Sequence, residues 1–184
     1  MTPIKTARPS RKRPSLLGAA ALGLFFGLAL APPVLAQGTE RLGDFQDWSA
    51  FRFEESGKPV CYMASQPKKA EGNYSSRGDI YVIITHRPGE STFDEVSVVA
   101  GYSYQKDSTV EMKVGDVKKT LFTQDDAAWA ADKDTDEDLV KAMIRGHTMV
   151  VTGTSSRGNE TVDSYSLLGF TKAHDAIDKA CPKG

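Results

Sequence analysis

Between residues 47 and 168 the apolar positions come in short bursts set apart by turn-forming residues, the pattern of strands rather than long helices. Asp47 to Phe53 carries Trp48, Phe51 and Phe53 ahead of a Glu54-Glu55-Ser56-Gly57 turn, and Val60 to Ala64 is a second short run. Ile80 to Thr85 is continuous in β-branched and aromatic side chains, as a strand buried on both faces requires. The following stretch alternates: Val96, Val98, Ala100, Tyr102 and Tyr104 fall on one side, while Glu95, Ser97, Gly101 and Ser103 fall mostly on the other, which predicts one wet face. Thr109 to Val114 and Val117 to Thr123 flank Gly115-Asp116 as a hairpin, and Met149 to Thr154 and Thr161 to Leu168 form another around residues 155–159.

Helical periodicity is confined to two places. Leu139, Val140, Met143 and Ile144 make the apolar stripe of a helix starting at Thr135, where Thr135-Asp136-Glu137-Asp138 imitates a capping box and Gly146 closes the element. A last helix, Thr171 to Lys179, would set His174, Ile177 and Cys181 along one side. Residues 37–46 have no periodicity and read as an N-terminal arm; residues 65–77 read as a polar loop. Strands at this spacing predict a mainly β protein, an antiparallel sandwich or barrel of about seven or eight strands with one or two short helices, in one domain over residues 47–184.

The first 36 residues follow another logic. Lys5, Arg8, Arg11, Lys12 and Arg13 precede an apolar stretch, Leu16 to Leu30, too short and too rich in Gly and Ala to span a bilayer comfortably. Pro32 and Pro33 break it, and Val34 and Ala36 approximate the small-residue pattern a signal peptidase reads, with cleavage between Ala36 and Gln37. Residues 1–36 are therefore expected to be a secretory signal peptide, and the mature chain to be periplasmic, outer-membrane-associated or secreted. The rival reading is an uncleaved anchor, but no second charged flank stops the apolar stretch. Taking those five basic residues from 23 leaves 18 against 24 acidic ones, so the mature chain is acidic and nucleic acid is a poor partner. Cys61 and Cys181 are the two cysteines, and in an oxidising compartment an even pair is most simply a disulfide; two separate thiols are the alternative.

Candidate chemistry is sparse. The mature chain has no G-x-S-x-G elbow. His86, His147 and His174 lack the close spacing of a zinc motif and read as separate packing or surface residues, so no metal, cofactor or catalytic residue is assigned. Asp132, Asp134 and Asp136 imitate the start of a calcium loop, which then fails: Glu137 stands where Gly is needed and Met143 where a bidentate Glu is needed. Arg77-Gly78-Asp79 invites an adhesion reading, yet its Asp begins a strand. A near copy, Ser155-Ser156-Arg157-Gly158, lacks that Asp, so both Ser-Ser-Arg-Gly runs read as turns. Asn73-Tyr74-Ser75 and Asn159-Glu160-Thr161 match a glycosylation pattern, discounted because the leader pattern suggests a bacterial source. An enzyme built from scattered residues such as His147, Arg157 and Asp163 is the alternative function.

The ordered set of Gly146 to Gly158, Asp163 to Thr171 and Ala176 to Cys181, with Asp47-Trp48 and residues 127–146, resembles the invasion-associated locus B family of alphaproteobacteria. The resemblance covers nearly all of residues 43–181. It implies a signal peptide, an immunoglobulin-like β-sandwich, and a periplasmic or outer-membrane-associated protein; with convergent catalytic groups missing from the sequence, the leading expectation is a non-enzymatic protein that acts by binding a protein or envelope component. Some relatives are linked to host-cell entry. Many members carry a further Cys just after the Asp-Trp pair, where this chain has Ala50, Phe51 and Arg52.

Overall fold

The computed structural model describes residues 38–183; the expected signal peptide and its Ala36–Gln37 cleavage point lie outside the described residues. Eleven strands and two helices follow in the order β1 (Glu40–Phe45), β2 (Trp48–Glu55), β3 (Lys58–Ser65), β4 (Lys69–Gly72), β5 (Tyr81–Arg87), β6 (Thr92–Val99), β7 (Thr109–Val114), β8 (Val117–Gln124), β9 (Ala127–Trp129), α1 (Lys133–Arg145), β10 (Thr148–Thr154), β11 (Glu160–Ser166) and α2 (Phe170–Ala180). The strands form one antiparallel sheet in the order β1-β2-β3-β5-β6-β9-β8-β7-β10-β11-β4. The mainly β, antiparallel class is as the periodicity predicts, with more strands than expected and one unbroken ladder.

That order forces curvature. β3 is third and β4 last, yet Ser65 and Lys69 are joined by a link that reaches at most about 14 Å. Eight strand spacings in a flat sheet would hold them roughly 38 Å apart. The sheet therefore rolls until its two ends approach. Trp48 on β2 donates its indole N–H to the Ser166 carbonyl at 3.0 Å, and Lys68 N–H reaches Ser164 O at 2.7 Å. The rolled face encloses a continuous core in which Trp48, Met63, Ile84, Met112, Leu121, Met149 and Tyr165 are almost wholly buried. Trp48 and Phe170 of α2 meet edge to face at 4.9 Å, an arrangement worth about 1 kcal/mol beyond the area it buries.

Two strands are absent from the periodic reading. β1 lies inside the 37–46 arm and β4 inside the 65–77 loop, and both are edge strands whose register comes from a partner rather than from their own alternation. β4 is exposed at all four positions, so nothing apolar marks it. β6 stops at Val99, short of the expected Tyr104; Gly101 turns the chain at φ +69 and Tyr104 returns as a single bridge to Ser155. α1 starts earlier than expected. Its N-cap is Asp132, whose carboxylate accepts from Thr135 N–H at 2.8 Å, so Thr135 is inside the first turn. Ile144, expected in the apolar stripe, is 42% exposed, and Ala142 takes the buried place. α2 begins after Gly169, which has φ +90 and sits so close to β1 that a Cβ there would lie 1.7 Å from Phe45 O.

Candidate functional site

Two places gather polar chemistry. The first is built where α2 lies against β3, β5 and β6. Cys61 and His86 are opposite each other in the β3–β5 register, and both are fully buried. Cys181, just after α2, is joined to Cys61 across 120 residues with the Cα atoms 5.9 Å apart, so the expected disulfide is formed. His174, Ile177 and Cys181 are buried along one side of α2, as its spacing predicts. The β5–β6 ladder slips between Thr85 and Arg87, and there Asp94 takes φ +62 inside a strand. A buried non-glycine residue in that conformation is costly, and such bulges re-aim a side chain.

The bulge turns Asp94 into the centre of an ion-pair network. Its N–H donates to His86 Nδ1 at 3.0 Å, which assigns the His86 proton to Nε2, and Nε2 lies 3.0 Å from Asp178 Oδ1. His174 Nε2 meets Asp94 Oδ1 at 2.7 Å and His174 Nδ1 meets Asp178 Oδ2 at 3.1 Å. A carboxylate at each nitrogen favours the protonated ring. Burial alone would make His174 less basic, but the Asp94 hydrogen bond and the two carboxylate charges outweigh it, and its pKa is raised. Burial would likewise raise Asp94, but the hydrogen bonds from His174 and Lys183 hold it far below the usual carboxylate range. Lys183 Nζ completes the set at 2.7 Å from Asp94 Oδ2.

Histidines far apart in the chain thus meet, with ring centroids 5.5 Å apart, and His86, His174 and Asp178 place ligand-type atoms within 4.8 Å of one another. The sequence reading of His86 and His174 as separate residues is corrected here, because pairing across the sheet, not spacing along it, unites them. The arrangement is one of proton-bearing partners. Asp94 N–H occupies the His86 Nδ1 lone pair, so Nε2 carries the proton and offers no lone pair to a metal ion in this geometry.

The second place lies at the other end of the sheet order, beside β4 and β11. Arg77 inserts between the Tyr74 and Tyr102 rings, at 5.1 and 4.9 Å. It donates two bonds of 2.7 Å to the Asp163 carboxylate and one of 3.0 Å to Ala100 O. Both side chains of the pair are only 3% exposed. Burial weakens the guanidinium's hold on its proton, but Asp163 more than restores it and its pKa is raised. Tyr102 Oη and Thr161 Oγ1 share a 2.6 Å hydrogen bond, Gly78 N–H donates to Gly101 O, and Ser156 N–H donates to Ser103 O. These ties bring both Ser-Ser-Arg-Gly runs to one polar cleft of about 630 Å³. Their turn reading is thereby extended: Arg77 of the first run supplies the buried floor, and Ser75 with Ser156 and Arg157 of the second run form exposed walls. With its Arg buried, Arg77-Gly78-Asp79 has no adhesive face.

The alternative enzyme trio does not assemble. Asp163 is consumed by Arg77, while His147 and Arg157 lie beyond opposite ends of β10, roughly 20 Å of strand apart. Asp132 and Asp136 of the calcium-like run serve α1 and β6: Asp132 caps the helix and Asp136 accepts from Val96 N–H at 2.8 Å. Burial, aided by the charges of Glu95, Asp94 and Asp132, pushes Asp136 up to about 6. Sequence reasoning missed Asp94, Asp178 and Lys183 as site residues; it placed Arg77 in a turn and Arg157 in the alternative enzyme trio, without the cleft that unites them. A faint signal was available for Asp94 alone, an acid inside an otherwise strand-like run.

The family model for the Invasion associated locus B (IalB) protein matches residues 48–178. No curated protein matches the chain. Among solved structures, the crystal structure of invasion associated protein B from Bartonella henselae is similar, with a TM-score of 0.53 and 17% sequence identity over 75% of this chain and 95% of that one. At that identity the likeness speaks to fold, and the family match covers β2 to β11, α1, the Arg77–Asp163 floor and all but the last two residues of α2. The chain belongs to the invasion-associated locus B family.

Proposed function

We propose that this chain is an exported, non-enzymatic protein of the bacterial envelope that works by binding a protein or envelope component through its surface. One observation carries the reading. The buried ionisable groups His86, Asp94, His174, Arg77 and Asp163 are held by partners within the chain, whereas the loop-built cleft is lined by exposed uncharged polar residues and by Arg157, which forms no ion pair among the described residues. A catalytic group needs a reacting atom within reach. Here those groups are spent on holding α2 and the cleft floor in place. The leader-like residues 1–36 and a disulfide joining distant parts of the chain support an extracytoplasmic, periplasmic setting. Among the described residues no helix is long and apolar enough to cross a membrane.

Cell fractionation with intact-mass measurement under non-reducing conditions tests the export half. A mature form beginning at Gln37, two mass units lighter than the dithiol, is expected outside the cytoplasm; a full-length cytoplasmic dithiol overturns it. Retention of the mature protein on immobilised envelope preparations, lost on competition with soluble envelope components, tests the binding half. Turnover in a panel of hydrolase and transferase substrates would overturn the non-enzymatic reading. A role at a host-cell surface requires exposure outside the bacterium, so protease shaving of intact cells should remove the protein if it has one.

A further inference from the structure

The polar cleft between the two Ser-Ser-Arg-Gly runs has the composition of a ligand site, and its lining selects a chemical class. Its walls offer neutral donors and acceptors, the hydroxyls of Ser75, Ser103 and Ser156 and the amides of Asn73 and Asn159, with the Tyr74 ring beside them. Uncharged groups that both donate and accept match a polyhydroxylated ring better than an apolar or peptide side chain. No carboxylate lines the cleft; the one beneath it, Asp163, is neutralised by Arg77. Arg157, exposed on the wall, forms no ion pair among the described residues, so one positive charge faces the cleft without a counterion.

We propose that this cleft binds an acidic saccharide, a short chain of sugar rings bearing a carboxylate that pairs with Arg157 while ring hydroxyls engage the serine and asparagine walls. A single guanidinium is the fork-shaped partner of one carboxylate. A phosphate dianion would leave charge unmatched against that single cation. The floor is set before any ligand arrives, since the Arg77–Asp163 pair, the Tyr102–Thr161 hydrogen bond and the Gly78–Gly101 and Ser156–Ser103 ties fix both loops. Groups already ordered cost less to bind with. The inference deepens the binding reading above and rests on it.

The test is titration of the mature, oxidised protein, residues 37–184, with tetragalacturonic acid, maltotetraose and inorganic phosphate, followed by calorimetry and by amide chemical shifts. The acidic tetrasaccharide should bind, shifting amides in residues 73–78, 101–103 and 155–161. Arg157→Ala, a change at an exposed side chain, should keep the fold and weaken tetragalacturonate about tenfold, with little effect on any maltotetraose binding. Equal affinity for the two sugars, tighter binding of phosphate alone, shifts centred elsewhere, or indifference to Arg157→Ala would each overturn the proposal. Should Arg157→Ala still be retained on envelope preparations while no tetragalacturonate binds, the saccharide proposal falls and the wider binding reading stands.

Discussion

At the α2 clasp each charged or titratable group meets a counterpart from the same chain: Asp94 with His174 and Lys183, Asp178 with both histidines, Cys61 with Cys181. At the cleft only the floor is matched in this way, through Arg77 and Asp163, and the wall is left open with Arg157 and a set of hydroxyls. The same residue type thus has opposite roles eighty residues apart. Arg77 is a structural member because burial obliges it to keep a partner, and Arg157 is available because exposure lets water serve as one. The contrast teaches that in this molecule a charged residue's use is decided by whether the fold supplies its partner.

The largest way to break the contrast is to open the clasp covalently. Cys181→Ser should cost up to about 5 kcal/mol in the chain-entropy account of so long a loop, lowering the melting temperature by roughly 15 °C, and reductant should have the same effect on the parent protein but none on the variant. Calorimetry with and without reductant reads this directly. Next, the two arginines can be set against each other. Asp163→Ala strands a buried guanidinium and should cost about 3–5 kcal/mol in urea unfolding, whereas Arg157→Ala should stay within about 0.5 kcal/mol. Comparable losses would erase the distinction between floor and wall.

Acid and base titrate the clasp more gently. The His174 pKa is raised by folding, so its contribution is complete below the unfolded value and fades as pH rises through the folded one. Asp136, pushed up to about 6, acts in the same direction: its contribution is complete below the ordinary carboxylate value and is lost as pH rises toward about 6. Asp94 is lowered, so its contribution holds above the ordinary carboxylate value and is lost only in strong acid. Melting temperature should therefore peak at about pH 4, fall as Asp136 loses its proton toward about pH 6, and fall again as His174 loses its own above the ordinary histidine value. Asp94→Asn should flatten the alkaline side of that curve, at a cost of about 1–3 kcal/mol. The smallest effect concerns the core between the two regions, where the Tyr165 hydroxyl is buried without a hydrogen-bond partner. Tyr165→Phe should leave urea stability unchanged within about 0.5 kcal/mol or raise it slightly, since no bond is broken.

What the sequence discloses follows from which forces act locally. The two hairpins around Gly115 and around residues 155–159 are where alternation places them, because turn chemistry and strand periodicity are properties of neighbouring residues. The inward face of α2 and the cysteine pairing were legible for the same reason, together with the even cysteine number. β4 was not, because Lys69–Gly72 is a strand only by virtue of pairing with Thr161–Ser164, some ninety residues away. The meeting of His86 with His174 depends on α2 docking across the sheet and the convergence of the two Ser-Ser-Arg-Gly runs on distant pairings, and the Asp94 bulge is a register slip between β5 and β6 that alternation alone does not mark. The acids of the clasp were accordingly not singled out, and the cleft was visible as residues and invisible as a place.

The short link from β3 to the far edge of the sheet carries a consequence for timing. β4 is synthesised early, yet its only neighbour, β11, emerges near the end of the chain, and the thiol of Cys61 waits as long for Cys181. Closure of the roll is therefore a late event. Oxidation of Cys61 with Cys181 serves as a chemical timestamp that α2 and Cys181 have arrived, and a nascent chain halted before residue 181 keeps its first thiol open to labelling.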